Sequence, residues 1–171
     1  RLAVFVGGFD LEAAEKVCGV DPIEDFEVLD LLGSLVDKSL VMAEDRDEGT
    51  RYRMLETIRE YAADKLKTEG EEAETAARHC AHYYRMAVEA RDGIDGADLP
   101  QWLRRLEAEL DNLRAAMSLA LSGATADPVL SVKLAVQLQG FWILRGYITE
   151  GRRLVRAALA LPAVQEFALA K

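Results

Sequence analysis

The sequence lacks any apolar run close to the roughly 20 residues that a membrane-spanning helix needs. Its N-terminus, RLAVFVGGF, carries one positive charge and too short an apolar core for a signal peptide. The chain also begins without a methionine, so we expect it to be a segment of a longer polypeptide. These absences predict a cytoplasmic protein with no membrane partner.

Cysteine is scarce, and the two cysteines form no motif. Cys18 and Cys80 stand singly in helical patterns without CxxC spacing, which is typical of small buried residues in a reducing compartment. His79 and His82 flank Cys80 in RHCAHYY, and two imidazoles three residues apart on a helix could share a face and bind zinc. No further ligand is evident nearby, so a structural or surface role is favoured and no metal site is predicted.

The sequence contains no GxxxxGK[ST] loop, which cradles the phosphates in ATPases. Gly7 and Gly8 precede Phe-Asp-Leu, with no lysine and no hydroxyl side chain, and we expect a turn between helices there. Neither a Ser-His-Asp nor a Cys-His arrangement is visible along the chain. We therefore predict that this chain is not an enzyme by itself, with no catalytic residue and no cofactor of its own.

Positive charge is also in short supply. The chain has 21 Lys and Arg against 30 Asp and Glu, a formal net charge of −9. Nucleic-acid affinity depends on clustered Lys and Arg that contact phosphates. The balance therefore argues against nucleic acid as a partner of the chain as a whole.

What the sequence does contain is a helix, a hairpin and a second helix in close succession, in SLVDKSLVMAEDRDEGTRYRMLETIREYA. Strands are predicted for 39–45 and 50–55, on either side of the turn Arg46-Asp47-Glu48-Gly49. An Asp before Leu or Pro marks several helix starts, because Asp caps the first free amides and Pro fits the first turn. Helices are predicted for 10–18, 22–38, 55–69, 72–92, 99–122, 128–145 and 147–161, with residues 1–6 as the tail of another helix.

The predicted fold is mainly α: a winged helix, made of helices and one β-hairpin, followed by an antiparallel helical array. Gly70, among acidic residues, divides a winged-helix domain, residues 1–69, from a helical bundle, residues 70–171. An apolar stripe in the bundle indicates either a coiled coil with a partner or, as its short length favours, a helix packed within its own bundle. The stripe comprises Leu99, Leu103, Leu106, Leu110, Leu113, Met117 and Ala120.

The segment GYITEGRRLVRAALALP, residues 146–162, resembles the second half of a tetratricopeptide repeat. Gly151 and Ala158 lie seven residues apart on one face, where such repeats bury small residues at a close helix crossing. The preceding helix, with Phe141 and Trp142, would be its partner. Because one repeat cannot close its own core, the resemblance implies an array that continues beyond Lys171.

The helix before the hairpin would be the recognition helix of a DNA-binding winged helix, but it is mainly acidic. Phosphates would repel it along most of its length, and the wing mixes arginines with acids. We therefore expect contact with protein rather than with DNA. The helix carries Glu24, Asp25, Glu27, Asp30, Asp37 and Lys38, and the wing carries Arg46, Arg51, Arg53, Glu44, Asp45, Asp47 and Glu48.

LVDKSLV followed by YRMLETIREYA resembles the winged-helix segment of signal-transducing NTPases with numerous domains, the STAND class, and of its NB-ARC branch. There DKSL leads through a hairpin to a Met-His-Asp motif whose His faces the β-phosphate of ADP. The resemblance places Met54, Leu55 and Glu56 at that motif, as nucleotide-sensing or closed-state interface residues. Leu55 cannot donate a hydrogen bond to phosphate, so either another group senses the nucleotide or the interface closes by apolar packing alone. The remaining alternative is that Leu55 is a core residue at a helix start.

RLAVFVGGFDLEAAEKVCG, RLEAELDNLRAAMSLAL and FWILRGYITEGRRLVRAALAL also resemble bacterial STAND-type transcriptional regulators. The resemblance implies an upstream domain that binds ATP or ADP with magnesium, and a DNA-binding domain, often of LuxR type, at one terminus. The partners it implies are that ATPase domain in cis and a signal protein or small molecule on the helical array.

A second cluster of positive charge lies on and beside the last predicted helix. It is either a site for an acidic peptide or a phosphate-bearing ligand, or a solvated face paired with nearby glutamates. The cluster comprises Arg145, Arg152, Arg153 and Arg156, and the glutamates are Glu107, Glu109 and Glu150.

These features predict a regulatory and relay module of a STAND-type transcriptional regulator, which mediates intramolecular and protein–protein contacts rather than catalysis. The alternatives are a DNA-binding winged helix with a helical extension, and a helical scaffold with no link to nucleotide.

Overall fold

A computed structural model of the chain describes residues 1–46, 49–122, 127 and 129–169. The chain divides into two compact units, residues 1–82 and residues 83–171. The division falls within a long helix, α4 (Glu72–Ile94). A domain boundary at Gly70 stays a prediction, although Gly70 does adopt a positive φ of 74° after the preceding helix ends.

The first unit has the elements of a winged helix. α1 begins as predicted, because the Asp10 carboxylate accepts a hydrogen bond from the Ala13 amide at 2.8 Å. Residues 1–6 do not form the predicted helix tail; only a 3-10 turn, Leu2–Val4, is present and Phe5 is extended. The unit contains β1 (Gly8–Phe9), α1 (Leu11–Cys18), α2 (Val28–Asp37), β2 (Met42–Arg46), β3 (Gly49–Arg53), α3 (Glu56–Thr68) and the first part of α4.

The sheet has the antiparallel order β1-β3-β2. The β2–β3 hairpin confirms the predicted wing, although Asp47 and Glu48 of its turn lie outside the described residues. The expected turn at Gly8 is wrong, because Gly8 pairs with Arg53 in the sheet. A Cβ at Gly8 would lie 3.2 Å from the Tyr52 carbonyl oxygen, so the close approach of the two strands favours glycine.

α2 starts later than predicted. The Asp-Pro pair at 21–22 does not open it; a 3-10 turn, Asp25–Glu27, leads into the helix. The Glu24 amide donates to the Glu27 carboxylate at 2.8 Å and closes a capping box. This cap satisfies the first amides of the turn and so sets where the helical segment begins.

The stretch DKSL is the C-terminal cap of α2. Ser39 has a φ of 57°, and its amide donates to the Val36 carbonyl at 2.8 Å. The Leu40 amide donates to the Leu35 carbonyl at 2.9 Å. These two bonds are those of a Schellman motif, which ends the helix and turns the chain toward β2.

An aromatic column forms the centre of the first unit. The Phe5 and Phe9 rings stack with centroids 4.5 Å apart, and Phe9 stacks on Tyr52 of the wing at 6.0 Å. The His79 ring meets Phe5 edge-on at 5.4 Å. The wing is thus joined to the core by aromatic packing.

The second unit is wholly helical within the residues described. Two helices predicted as continuous are each broken once, at Glu109 and at Leu138. The unit contains the remainder of α4, α5 (Leu99–Ala108), α6 (Leu110–Leu121), α7 (Leu130–Gln137), α8 (Gln139–Leu144), α9 (Ile148–Leu159) and α10 (Pro162–Leu169).

A buried polar network lies at the α5–α6 break. The Glu109 side chain is 2% exposed and accepts hydrogen bonds from the Tyr83 hydroxyl and the Asn112 amide, each at 2.8 Å. Local periodicity does not reveal this junction, because Tyr83 comes from a distant part of the chain. The apolar stripe from Leu99 to Ala120 is buried or half-buried, which confirms that it packs within its own bundle.

The α8–α9 crossing is close, as the small residues predict. Ala158 is fully buried, and a Cβ at Gly151 would lie 2.6 Å from the Trp142 ring. Pro162 follows α9 and opens α10. Along the described ranges, no helix is both long enough and apolar enough to cross a membrane.

Candidate functional site

The outer surface of α2 is apolar and acidic. Val28 and Leu32, one turn apart, face the core, which turns Leu29 outward at 50% exposure. Phe26 just before the helix is 79% exposed, and Leu31 is 46% exposed. Beside them stand the exposed acids Asp30 and Asp37 of the same helix. We call this the α2 surface: Phe26, Leu29, Asp30, Leu31 and Asp37.

The sequence already indicates that some apolar residues of α2 are exposed, although a search for a single buried stripe does not show it. VLDLLGSLV places apolar residues on more than one face of the helix, and a helix with one buried face needs only one such stripe. The helix surface at Gly33 is also uncovered, since a Cβ there would meet nothing within 4 Å. An exposed apolar patch of this kind is typical of a protein contact.

The cations of the wing are partly engaged within the wing. Arg46 donates to the Glu44 carboxylate at 2.8 Å, a hydrogen bond that lowers the pKa of the Glu44 carboxyl. The Thr50 hydroxyl donates to the Asp45 carboxylate at 2.8 Å. Arg53 is exposed at the end of β3. The described part of the wing therefore presents mixed charge.

Met54, Leu55 and Glu56 lie where β3 passes into α3. Leu55 is the N-cap residue of α3 and is 52% exposed, so it is not a core residue of this unit. The Glu56 carboxylate is exposed and accepts two hydrogen bonds from Arg59, at 2.5 and 3.0 Å. Arg59 thereby lowers the pKa of the Glu56 carboxyl. Leu55 is free to pack against another surface, while Glu56 is held by its own helix.

Met54 lines an apolar groove of about 740 Å³ in the first unit, between α2, α3 and the start of the chain. The Leu31, Ile58 and Tyr61 side chains also line it, and the Tyr61 side chain is 63% exposed. At the rim, the Arg1 guanidinium donates to both oxygens of Glu71, at 2.6 and 3.1 Å. Met54 and Leu31 are thus brought together, and the groove continues the apolar part of the α2 surface.

The four arginines of the second unit differ in their surroundings. Arg145 pairs with the Glu107 carboxylate at 2.7 Å. Arg152 and Arg156 line an apolar groove of about 420 Å³ between α7, α8 and α9. Arg153 is exposed on α9 and is not among the groove residues. The solvated-face interpretation fits Arg145, whereas Arg152 and Arg156 border the apolar groove.

The glutamates expected to pair with those arginines are largely engaged elsewhere. Glu109 is buried in the network with Tyr83 and Asn112. Glu150 accepts two hydrogen bonds from Arg114, which lower the pKa of its carboxyl. The arginines of the groove therefore keep their charge toward solvent.

His79, Cys80 and His82 are all buried in α4. Burial raises the pKa of the Cys80 thiol to about 11, and the same cause raises that of Cys18 to about 11. Among the residues with described positions, no group of three His, Cys, Asp or Glu side chains could hold a metal ion. His79 packs in the aromatic column, which is a structural role.

Residues 1–67 match the family model of the winged helix-turn-helix domain. The order of helices and strands and the β1-β3-β2 sheet agree with that match. Residues 1–67 form a winged helix-turn-helix domain.

The chain is also similar to mycobacterial proteins that carry the name "Putative HTH-type transcriptional regulator". One from Mycobacterium tuberculosis (strain H37Rv) is 44% identical over 151 residues, which is 88% of this chain and 17% of the relative. A counterpart from Mycobacterium bovis has the same identity and coverage. An uncharacterized protein of M. tuberculosis is 41% identical over 99 residues, 56% of this chain and 25% of that protein.

The chain thus spans only 17% of the length of the curated relatives that it matches over most of its own length. No solved structure gives a significant match.

Proposed function

We propose that this chain is a regulatory and relay module of a bacterial STAND-type ATPase transcriptional regulator, and that its winged helix contacts protein instead of DNA. The coarser part of this assignment has direct support from the winged helix-turn-helix match and the similarity to transcriptional regulators. The finer part is supported by the segment resemblances and by the α2 surface.

The observation that carries the proposal is the chemistry of the α2 surface. A recognition helix places its exposed face in the major groove, where it needs donors and cations. Here that face presents Phe26, Leu29 and Leu31 to solvent. The exposed acids Asp30 and Asp37 would lie against phosphates without compensation. Apolar side chains beside acids suit a protein partner with an apolar patch and cations at its rim.

In the proposed mechanism the winged helix packs on the ATPase domain of the same polypeptide in the resting state. That upstream domain holds ATP or ADP with magnesium, and Leu55 contributes apolar area to the closed interface. The helical array, which is TPR-like, receives a signal protein or a small molecule and shifts the closed–open equilibrium through its differential affinity for the two states. We place the module in the cytoplasm, with a separate DNA-binding domain, which in such regulators is often of LuxR type, elsewhere in the polypeptide.

A second candidate function is direct DNA binding by the winged helix. The family match and the HTH-type names of the relatives favour it, and Arg53 at the end of the wing is exposed. It requires contact through the wing alone, because α2 has only Lys38, at its C-terminal end, as a cation.

Fluorescence anisotropy with a labelled mixed-sequence DNA duplex separates the two candidates. At low salt we expect no saturable binding by the 171-residue chain. Replacing both acids of the α2 surface (Asp30→Lys with Asp37→Lys) should create weak, salt-dependent binding, because it removes repulsion where the groove would lie. The matched control makes the same charge change on α4 (Glu89→Lys with Asp92→Lys) and should do less.

Binding by the unaltered chain with a dissociation constant below about 1 µM that weakens steeply with salt would overturn the protein-contact proposal. Equal gains in the two double variants would show that net charge, and not the α2 surface, governs DNA affinity.

A further inference from the structure

The Arg1 side chain joins three segments of the first unit. Its guanidinium donates to both carboxylate oxygens of Glu71, at 2.6 and 3.1 Å. It also donates to the carbonyl oxygens of Cys18, Val20 and Asp21, at 3.0, 2.6 and 2.9 Å. A guanidinium has five N–H donors, so these bonds use its full capacity. The side chain is only 10% exposed, which separates this contact from an ordinary surface ion pair.

Two of the three carbonyls belong to the segment between α1 and the turn that precedes α2, residues 19–24, which we call the α1–α2 loop. Within the loop, the Ile23 amide donates to the Val20 carbonyl at 2.9 Å. The same Val20 carbonyl accepts a bond from Arg1. A segment outside regular helices and strands keeps one path only where its polar backbone groups are held. Arg1 therefore fixes the path of the α1–α2 loop.

The α1–α2 loop positions part of the α2 surface. It leads directly into the Asp25–Glu27 turn, which carries Phe26 of that surface. The turn also packs closely against the start of the loop, because a Cβ at Gly19 would lie 2.9 Å from the Cα of Asp25. A change in the path of the loop would therefore move the turn and Phe26 with it.

The Glu71 carboxylate belongs to the start of α4. Glu71 immediately precedes the helix, and its carbonyl accepts a hydrogen bond from the Thr75 amide at 3.0 Å. Hydrogen bonding to Arg1 lowers the pKa of the Glu71 carboxyl, so the group is ionised at neutral pH. A bidentate pair of guanidinium and carboxylate has a defined mutual orientation. The start of α4, Arg1 and the α1–α2 loop are thus joined in series by directional bonds.

A second arginine makes a comparable contact that ends on a different segment. Arg78 of α4 donates to the Val17 carbonyl at 2.9 Å and to the Glu74 carboxylate at 2.6 Å. It also donates to the Thr75 hydroxyl at 3.1 Å. Val17 lies within α1, whose conformation is maintained by its own helical hydrogen bonds. Arg78 thus ties α4 to a helix, whereas Arg1 ties it to the loop.

We propose that Arg1 is a positioning residue that couples the start of α4 to the α2 surface, so that loss of the Glu71 contact loosens the α1–α2 loop and the Asp25–Glu27 turn. This inference rests on the proposed function, because α4 continues into the helical array and the α2 surface is the proposed protein contact. It names a route by which a change in the array reaches that contact. Its test measures motion within the first unit alone, so it can fail while the α2 surface binds protein, and the reverse.

Hydrogen exchange of backbone amides in the 171-residue chain, followed by NMR, tests the coupling. Glu71→Gln removes the charge that holds Arg1. We expect the amides of Ile23 and Glu27 to exchange at least fivefold faster in this variant than in the unaltered chain. The Ile23 amide reports on the loop, and the Glu27 amide, which donates to the Glu24 carbonyl at 2.9 Å, reports on the turn.

Glu74→Gln is the matched control. It removes a carboxylate from the other pair of arginine and glutamate at the start of α4 and leaves the hydrogen bonds of Arg1 in place. It should change exchange at Ile23 and Glu27 less than twofold. Arg1→Lys is a second test, because a lysine keeps the charge but cannot hold a carboxylate and three carbonyls at once. It should accelerate the same two amides at least fivefold.

The amides of β3 report any general loss of stability and should change less than twofold in all three variants. Equal acceleration at Ile23 and Glu27 in Glu71→Gln and Glu74→Gln would overturn the special role of Arg1. Acceleration in β3 as large as in the turn would show a contribution to overall stability instead of positioning. Unchanged exchange in Glu71→Gln and Arg1→Lys would show that the loop keeps its path without this contact, and either of these last two results would also overturn the proposal.

Discussion

The Glu150 carboxylate accepts two hydrogen bonds from the Arg114 guanidinium, each 2.8 Å long, and so joins α9 to α6. Through this contact Glu150 raises the pKa of the Arg114 guanidinium, and Arg114 lowers the pKa of the Glu150 carboxyl. Arg114 also lies 5.8 Å from the centroid of the Tyr147 ring. A bidentate pair of this geometry fixes the orientation of α9, which also lines the apolar groove between α7, α8 and α9.

Glu150→Gln should lower the free energy of unfolding at pH 7 by roughly 0.5–1 kcal/mol, since the pair is partly exposed and screened. Because the folded-state pKa of Glu150 is depressed, its contribution is complete above the unfolded pKa, about 4.3, and is lost as pH falls through the folded pKa. Urea unfolding at pH 7 and pH 3 should therefore show a difference between wild type and variant that shrinks at pH 3. Glu89→Gln, on an exposed position, is the control, and a difference independent of pH would contradict the assignment.

Gly151→Ala should destabilise the second unit, because its Cβ would lie 2.6 Å from the Trp142 ring and the helices would have to separate. A loss of about 1–3 kcal/mol is expected from overpacking of this kind. Gly140→Ala in α8 is the matched control, since its Cβ would meet Ile94 at an ordinary 3.5 Å. Helix propensity should make that variant neutral or slightly more stable. Thermal unfolding followed by Trp fluorescence measures both, and equal losses would argue against a close α8–α9 crossing.

Ser39→Gly should stabilise the first unit by up to about 1 kcal/mol, because Ser39 holds a φ of 57°, which glycine adopts without steric cost. The same substitution at Ser34, inside α2, should destabilise by roughly 0.5 kcal/mol through lost helix propensity. Opposite signs in chemical unfolding confirm the Schellman cap. A destabilised Ser39→Gly variant would show that the Ser39 side chain contributes more than its backbone costs.

Leu55→Asp should raise basal ATP turnover of the full-length polypeptide, if Leu55 packs in the closed interface of the proposed function. The substitution places a charge in an apolar contact and shifts the equilibrium toward the open state. Because Leu55 is 52% exposed in this unit, the variant chain should keep its own stability. Thr68→Asp, at the other end of α3, is the control. Unchanged turnover in a folded Leu55→Asp protein would remove Leu55 from the interface.

The sequence pattern identified candidate site residues but did not predict which of them are exposed, line a groove or form an ion pair. Met54 and Leu55 come from a resemblance, and the structure adds that Leu55 is exposed whereas Met54 lines a groove. The four arginines lie within twelve residues of the sequence, but their surroundings in the structure differ. Glu107 of α5 forms an ion pair with Arg145, whereas no acid among the described residues pairs with Arg152 or Arg156. Pairing with an acid therefore separates Arg145 from the other two.

The sequence by itself determined the elements whose signals are local. The wing hairpin, the Asp10 cap and the end of α2 at DKSL all depend on residues within a few positions of each other, so propensity and periodicity suffice. The apolar periodicity of the Leu99–Ala120 stripe is of the same kind.

Only the tertiary structure decided the rest. Gly8 becomes a strand residue because Arg53 lies opposite it, and the helix breaks at Glu109 beside a network that includes Tyr83. The exposed Leu159 of α9 is indistinguishable in sequence from a buried leucine, because periodicity reports that a face is apolar and not whether another element covers it. Contacts between distant segments settle that question, and they exist only once the chain has folded.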